Sequence, residues 1–325
     1  MFKYIHTKRS SILGNISIII SGGSNGIVGN LAEVEVLEED GDCELPSLPY
    51  SIFTSPIIFQ HGKDVLLCGG EDVNSKKCLK LDFFNSLWTP FNNLSHPRVH
   101  SPAIQMKSET YLLGGTSPES VMTSDILSHD SQTWKKGPDI PSPGLNEGCG
   151  VRISDTDFLI IGGRNTRRIL RFNTESNEWS NPSIELQFER VGHRCFMIDR
   201  KVIVTGGTDK NPEVVRATNS TEIIDLGING EMYIRKGNDM NERRQTHGIG
   251  FIYIDNTPQI VIFGGFDVYP DPYPIPGYKD TVEIWNNANE TWMTSNLTLN
   301  QGKFEFGFAS LPTELLCPYF KLKKK

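Results

Sequence analysis

Six times along this chain a short apolar run closes on two adjacent glycines. The runs are Ile18–Gly23 (IIISGG), Val65–Gly70 (VLLCGG), Tyr111–Gly115 (YLLGG), Leu159–Gly163 (LIIGG), Val202–Gly207 (VIVTGG) and Ile260–Gly265 (IVIFGG). The pairs themselves, Gly22–Gly23, Gly69–Gly70, Gly114–Gly115, Gly162–Gly163, Gly206–Gly207 and Gly264–Gly265, lie 47, 45, 48, 44 and 58 residues apart. A unit of that length cannot bury its own apolar face and must stack on its neighbours. A chain of 325 residues would by length alone suggest about two domains, but six equivalent units close into one ring. Residues 1–325 therefore read as one domain.

Each unit has the same order of parts. A first strand precedes the apolar run, as in Ser101–Met106, Gly150–Ile153, Cys195–Ile198 and Gly248–Ile254. The run itself is nearly all Val, Ile and Leu, as expected of a strand buried on both faces. A variable loop follows, then a third strand with period-two alternation, such as Cys78–Phe83 or Thr221–Leu226, and an Asn- and Asp-rich turn. The fourth strand carries Trp88, Trp134, Trp179 or Trp292, with Tyr233 in the matching place of the fifth unit and no aromatic in the first. The fold class that follows is all-β: a six-bladed β-propeller of four-stranded antiparallel blades. Glycines let backbones approach closely near the axis, and tryptophans fill the wider outer part of each wedge. The stretch Phe304–Leu311 reads as a first strand with no glycine pair after it, so it is expected to supply the inner strand of blade one and close the ring, leaving 313–325 as a tail.

This arrangement resembles the kelch repeat, and the resemblance runs over residues 10–312. A weaker resemblance, carried by Cys43-Glu-Leu-Pro-Ser-Leu-Pro, Cys68-Gly-Gly and Cys78, is to secreted invertebrate kelch proteins. The kelch likeness implies a non-catalytic interaction module that binds a protein or peptide on its loop face, or the substrate-recognition part of a cullin-based ubiquitin ligase adaptor whose BTB region lies elsewhere. Kelch domains that recruit peptides often hold acidic motifs on arginines at one mouth of the ring, a role Arg98, Arg190, Arg243 and Arg244 could fill by resemblance.

Composition narrows the partners. Net charge is −7, from 32 Lys and Arg against 39 Asp and Glu, which argues against nucleic acid and anionic membrane surfaces. No apolar stretch reaches the length of a membrane span. Met1–Ser21 has the rough form of a leader, but Ile16–Gly23 matches the other strands, so it is read as part of a blade. Cys68 and Cys78 bracket one strand–loop–strand hairpin at a spacing a disulfide could bridge, and sequons occur at Asn15, Asn93, Asn219, Asn289 and Asn296, which would suit a secreted glycoprotein. Six cysteines do not decide the matter, and a cytoplasmic or a secreted location stays open. The chain is expected to be a monomer.

For chemistry, His100, His193 and His247 fall near the starts of inner strands and could converge on a metal, but the recurring Arg190–His193 and Arg244–His247 spacing reads as a structural feature of the repeat. Galactose oxidase holds copper on a related propeller, and its arrangement does not map onto these residues. No GxSxG, P-loop, HExxH or strand-linked GxGxxG occurs. The expectation is accordingly no enzyme, no cofactor and no metal, with a propeller enzyme or metal-binding carbohydrate-active protein as the alternative. The variable loops carry the binding reading. Arg164, Arg167 and Arg168 cluster after the fourth glycine pair, and Tyr269 and Tyr273 lie in the proline-rich loop Phe266–Lys279. Forked guanidinium groups suit acidic ligands, and tyrosines in a proline-restrained loop suit an interface. Nothing in the residues names the partner.

Overall fold

Every apolar run ending in a glycine pair is the second strand of an antiparallel sheet. The computed structural model describes residues 16–26, 29–38, 44–51, 55–70, 76–116, 121–141, 146–208, 216–255, 257–267 and 277–316. Blades two to six are four-stranded, with the strands in sequence order from the axis outwards; blade two, for example, runs Ile57–His61, Asp64–Cys68, Cys78–Asp82, Leu87–Phe91. In blade one the described residues form three strands, Val34–Leu37, Ile16–Ser21 and Gly307–Pro312. The last of these pairs with Ile16–Ser21, from Ile16 opposite Pro312 to Ser21 opposite Gly307, so one sheet joins distant ends of the chain and the ring has no open edge at its axis.

Second strands such as Asp157–Ile161 and Lys201–Thr205 are buried almost throughout, because each is covered on both faces by neighbouring blades. Apolar layers fill the gaps between blades, for instance Phe158, Phe172 and Tyr111 between blades three and four. The fourth-strand tryptophans reach back to the preceding blade. Trp88 Nε1 donates to the Pro46 carbonyl at 2.9 Å, Trp134 Nε1 to the Asn92 carbonyl at 3.0 Å, and Trp292 Nε1 to Thr221 Oγ1 at 3.3 Å. Trp88 and Trp292 are buried, while Trp134 and Trp179 are half-buried. Tyr233 does not take the tryptophan place: it pairs with Asp225 and is exposed, and Ile234, opposite Ile224, stands there instead. The loose fifth repeat hides a one-residue shift, which on a strand turns a side chain to the other face.

Two disulfides are present among the described residues. Cys68–Cys78 joins directly opposed residues of one hairpin, and Cys149–Cys195 ties the inner strand of blade four to that of blade five. No helix among the described residues is long and apolar enough to cross a membrane.

Candidate binding site at the channel mouth

Each inner strand begins with a residue in the left-handed conformation: Glu305, Ser55, His100, Glu147, Gly192 and Thr246 in blades one to six. Together they form a collar. The Gly192 amide donates to the Glu147 carbonyl at 3.1 Å, Thr246 to Gly192 at 2.7 Å, Glu305 to Thr246 at 3.3 Å, and Ser55 to Glu305, so main-chain bonds link blades four, five, six, one and two in turn around the mouth. Ser55 Oγ and His100 Nδ1, 2.7 Å apart, join blades two and three.

The next residue along explains the glycine pairs. A Cβ on Gly162 would lie 2.9 Å from the His193 ring, one on Gly206 2.9 Å from the His247 ring, and one on Gly264 2.7 Å from the Phe306 ring. The first glycine of a pair thus makes room for a ring from the following blade. The second makes room within its own blade, as Gly207 does for the His193 Cβ at 3.0 Å. Both positions also have positive φ, which glycine alone adopts without strain.

Two residues before the collar lies a buried cation in four blades. Arg98 pairs with Asp125 at 2.7 Å, Arg190 with Glu222 at 2.8 Å, Arg244 with Glu283 at 3.3 Å, and Lys303 with Glu35 at 2.5 Å. Each arginine also donates to the carbonyl of the first glycine in its own blade, Gly114, Gly206 or Gly264, at 2.7–2.8 Å. Its own carbonyl receives the amide of the second glycine of the blade before, as in Gly70 to Arg98 and Gly163 to Arg190. Arg98 and Arg190 are therefore buried pins between blades. They do not face the rim, contrary to the expectation of a partner-binding role, because the carboxylate and carbonyls that satisfy them lie inside the wall.

The other expected binding residues divide as follows. Arg164 is exposed and pairs with Glu147 at 2.5 Å; Arg167 pairs with Glu185 at 3.0 Å, both half open to solvent; Arg168 is exposed on the same loop. Arg243 is exposed and makes a 3.5 Å contact to the Ala217 carbonyl. Tyr269 and Tyr273 lie outside the described residues. The base of their loop is anchored, with Tyr278 stacked on Phe304 at 5.0 Å and Phe266 edge-on to Phe304 at 4.8 Å. His193 and His247 are sealed in the wall, Nε2 of each meeting the Ile161 carbonyl or Thr205 Oγ1, and burial pulls the His193 imidazole down to about 3 and His247 well below its ordinary range. Both are neutral at pH 7. His100 sits one position earlier, on the collar, so the three imidazoles are not equivalent. Among the described residues no group of three or more His, Cys, Asp or Glu side chains is placed to hold a metal ion.

Beneath the collar is a chamber of about 180 Å³ lined by Ile57, Ala103, Ile249, Phe306, Phe308 and the Cys149–Cys195 bridge. Sequence reasoning missed its one arginine. Arg194, the residue after His193, points its guanidinium along this wall 5.7 Å from the Phe308 ring centre, and Nη1 donates to the His193 carbonyl at 3.1 Å. Its Nε is buried without a partner. Burial lowers the guanidinium to about 10, an effect that Glu305 and Glu147 at the collar oppose.

No family model matches the sequence, so the kelch likeness rests on the repeat itself. Among curated proteins, a Rho GTPase-activating protein (gacHH) of Dictyostelium discoideum is 27% identical over 160 residues, covering 43% of this chain. The match spans about 10% of that protein's length. Among solved structures, a fungal alcohol oxidase of the AA5 family, in complex with copper, superposes with a TM-score of 0.61 at 14% identity over 87% of this chain and 63% of that one. That likeness shows the fold alone. It also corrects the expectation that the chain is not an enzyme: that expectation was drawn from the absence of familiar catalytic motifs, and the fold is shared with a copper alcohol oxidase.

Proposed function

We propose that the collar face of the ring recognises a protein or peptide with an acidic segment. The observation that carries this is the exposure of Arg164, Arg167, Arg168 and Arg243 on loops that open at the same end as the collar, while the arginines beneath them are consumed by the wall. Guanidinium groups half open to solvent keep donors for a second acid. Tyr269 and Tyr273, outside the described residues, belong to the reading by composition alone, as tyrosines in a proline-rich loop. The test is capture from the native source followed by affinity measurement. Arg167→Glu and Arg243→Glu are expected to weaken binding at least tenfold with an unchanged melting temperature; undiminished binding by both variants overturns the reading.

A second reading, a propeller enzyme, is favoured by the copper alcohol oxidase that shares the fold. Metal analysis of the purified protein and an assay for hydrogen peroxide formed from dioxygen as an alcohol is oxidised to its aldehyde test it. One bound copper with peroxide release supports this reading; a metal-free, inactive protein after copper loading counts against it.

A further inference from the structure

We propose that the chamber beneath the collar is a binding site for a small monocarboxylate with a short apolar tail, held by the forked guanidinium of Arg194. The argument starts from a contrast. Arg98, Arg190 and Arg244 are each buried, and each has a carboxylate at 2.7–3.3 Å and glycine carbonyls at its other donors. Arg194 is half-buried against the same wall, yet its one protein acceptor is the neighbouring His193 carbonyl and its buried Nε has none. A buried guanidinium Nε with no acceptor is costly to keep, and the acids that act on this guanidinium are Glu147 and Glu305 at the collar. Glu147 is itself engaged by Arg164.

The walls choose the ligand. Two adjacent N–H donors on a planar fork match the two oxygens of a carboxylate. The rest of the lining combines apolar Ile57, Ala103, Ile249, Phe306, Phe308 and the cystine, which suit a short hydrocarbon, with Ser55, His100 and Ser101 towards the collar, and it holds no second arginine or lysine. A chamber of about 180 Å³ is below the usual size for a drug-like ligand, so the occupant is small. His193 and His247 behind the wall are neutral and supply no competing charge. This site lies below the rim and is separate from the acidic segment of the proposed partner, though the two could be filled together.

The experiment is calorimetry and thermal unfolding of the intact chain against acetate, butyrate, succinate and phosphate, with chloride at matched ionic strength. Butyrate is expected to bind saturably and raise the melting temperature, more tightly than succinate or phosphate. Arg194→Gln should weaken butyrate at least tenfold, and Arg194→Lys should weaken it less, since the charge stays and the fork is lost. Ala103→Leu fills the chamber without touching the charge and should also abolish binding, which covers the case in which Arg194→Gln fails to fold. No saturable response beyond chloride, or equal responses of the parent and Arg194→Gln, overturns the proposal. A preference for phosphate overturns the carboxylate assignment. Arg167→Glu should leave butyrate binding intact, and Arg194→Gln should leave partner capture intact, so the two readings fail separately.

Discussion

Blades one, three, five and six hold a buried cation against an acid on the third strand; blades two and four do not. At the register position occupied by Glu35, Asp125, Glu222 and Glu283, blade two has Leu79 and blade four Leu170. Cation and acid are therefore kept or lost together: Leu79 and Leu170 are buried without any charge to satisfy. A lone buried charge costs several kcal/mol, whereas an apolar pair costs nothing, so a blade that drops one partner must drop both. The two leucine blades are also the ones that begin a disulfide. Cys68–Cys78 lies within blade two, and Cys149–Cys195 runs from blade four to blade five. Both leucine blades take part in a cystine beside an apolar wall, and blade five, which receives Cys195, has the bridge as well as its Arg190–Glu222 pin.

The largest test of that contrast is to convert one class into the other. Arg190→Met alone should cost about 3–5 kcal/mol in chemical denaturation, because Glu222 is left buried and unpaired. Adding Glu222→Leu should restore most of the loss and make blade five resemble blade four. The reverse change, Leu170→Glu, should be as damaging as Arg190→Met. If the double variant is no better than the single, charge is not what holds the pinned blades. Next in size are the disulfides. Replacing Cys149 and Cys195 with alanine opens a 46-residue separation and should cost about 4 kcal/mol on the chain-entropy model, against about 3 kcal/mol for Cys68 and Cys78, ten residues apart. Equal losses would mean that the inter-blade tie has no special weight.

A third test uses pH. His193 and His247 belong to pinned blades five and six, while blades two and four carry Pro56 and Gly148 at that place. The folded imidazoles are depressed below the ordinary value near 6.5, so the unfolded chain binds protons first and stability falls as pH drops below about 6.5. From pH 6.5 to 5 the loss should be at most about 2 kcal/mol per histidine. His129 is shifted the same way and adds to it. The held-down carboxylates, Asp157 and Glu290 at about 2, contribute only at lower pH. Urea unfolding at several pH values, with and without His193→Asn, checks this; a variant that keeps the full pH slope excludes His193 as its source. The smallest effect is expected at Arg167, whose exposed pair with Glu185 should change stability by less than about 0.5 kcal/mol when lost.

The propeller was legible because glycine pairs and tryptophans report crowding near the axis and width at the rim, and those are needs of every blade. The hairpin bridge Cys68–Cys78 was legible for a similar local reason: its residues face each other across two adjacent strands. Cys149–Cys195 was not, since its partners meet only after two blades are stacked. The arginines were seen and misplaced. Arg98 and Arg190 looked like rim donors because an arginine near a loop usually is one, and the acids that bury them lie 27 and 32 residues further on. Comparison across repeats held the missing signal: where the cation is absent, the third strand carries Leu79 or Leu170. Arg194 left no such trace, because it occurs in one blade and its meaning depends on a wall that five other strands build.

The collar has a consequence for how such a mouth can change. From blade four through five, six and one to blade two its links run between amide and carbonyl groups, and from blade two to three through the Ser55 and His100 side chains; the residues concerned are Glu, Gly, Thr, Glu, Ser and His, with little chemistry in common. Over five of the six blades the belt is specified by backbone shape, so the side chains there are not what closes it. Holding five non-glycine residues at positive φ stores strain at each, and the closed ring pays that once for all of them. What results is an aperture of inherited geometry and rewritable character. The side chains of Glu147, Thr246 and Glu305 can be exchanged, and with them what the mouth admits, while the main-chain links they carry are left as they were.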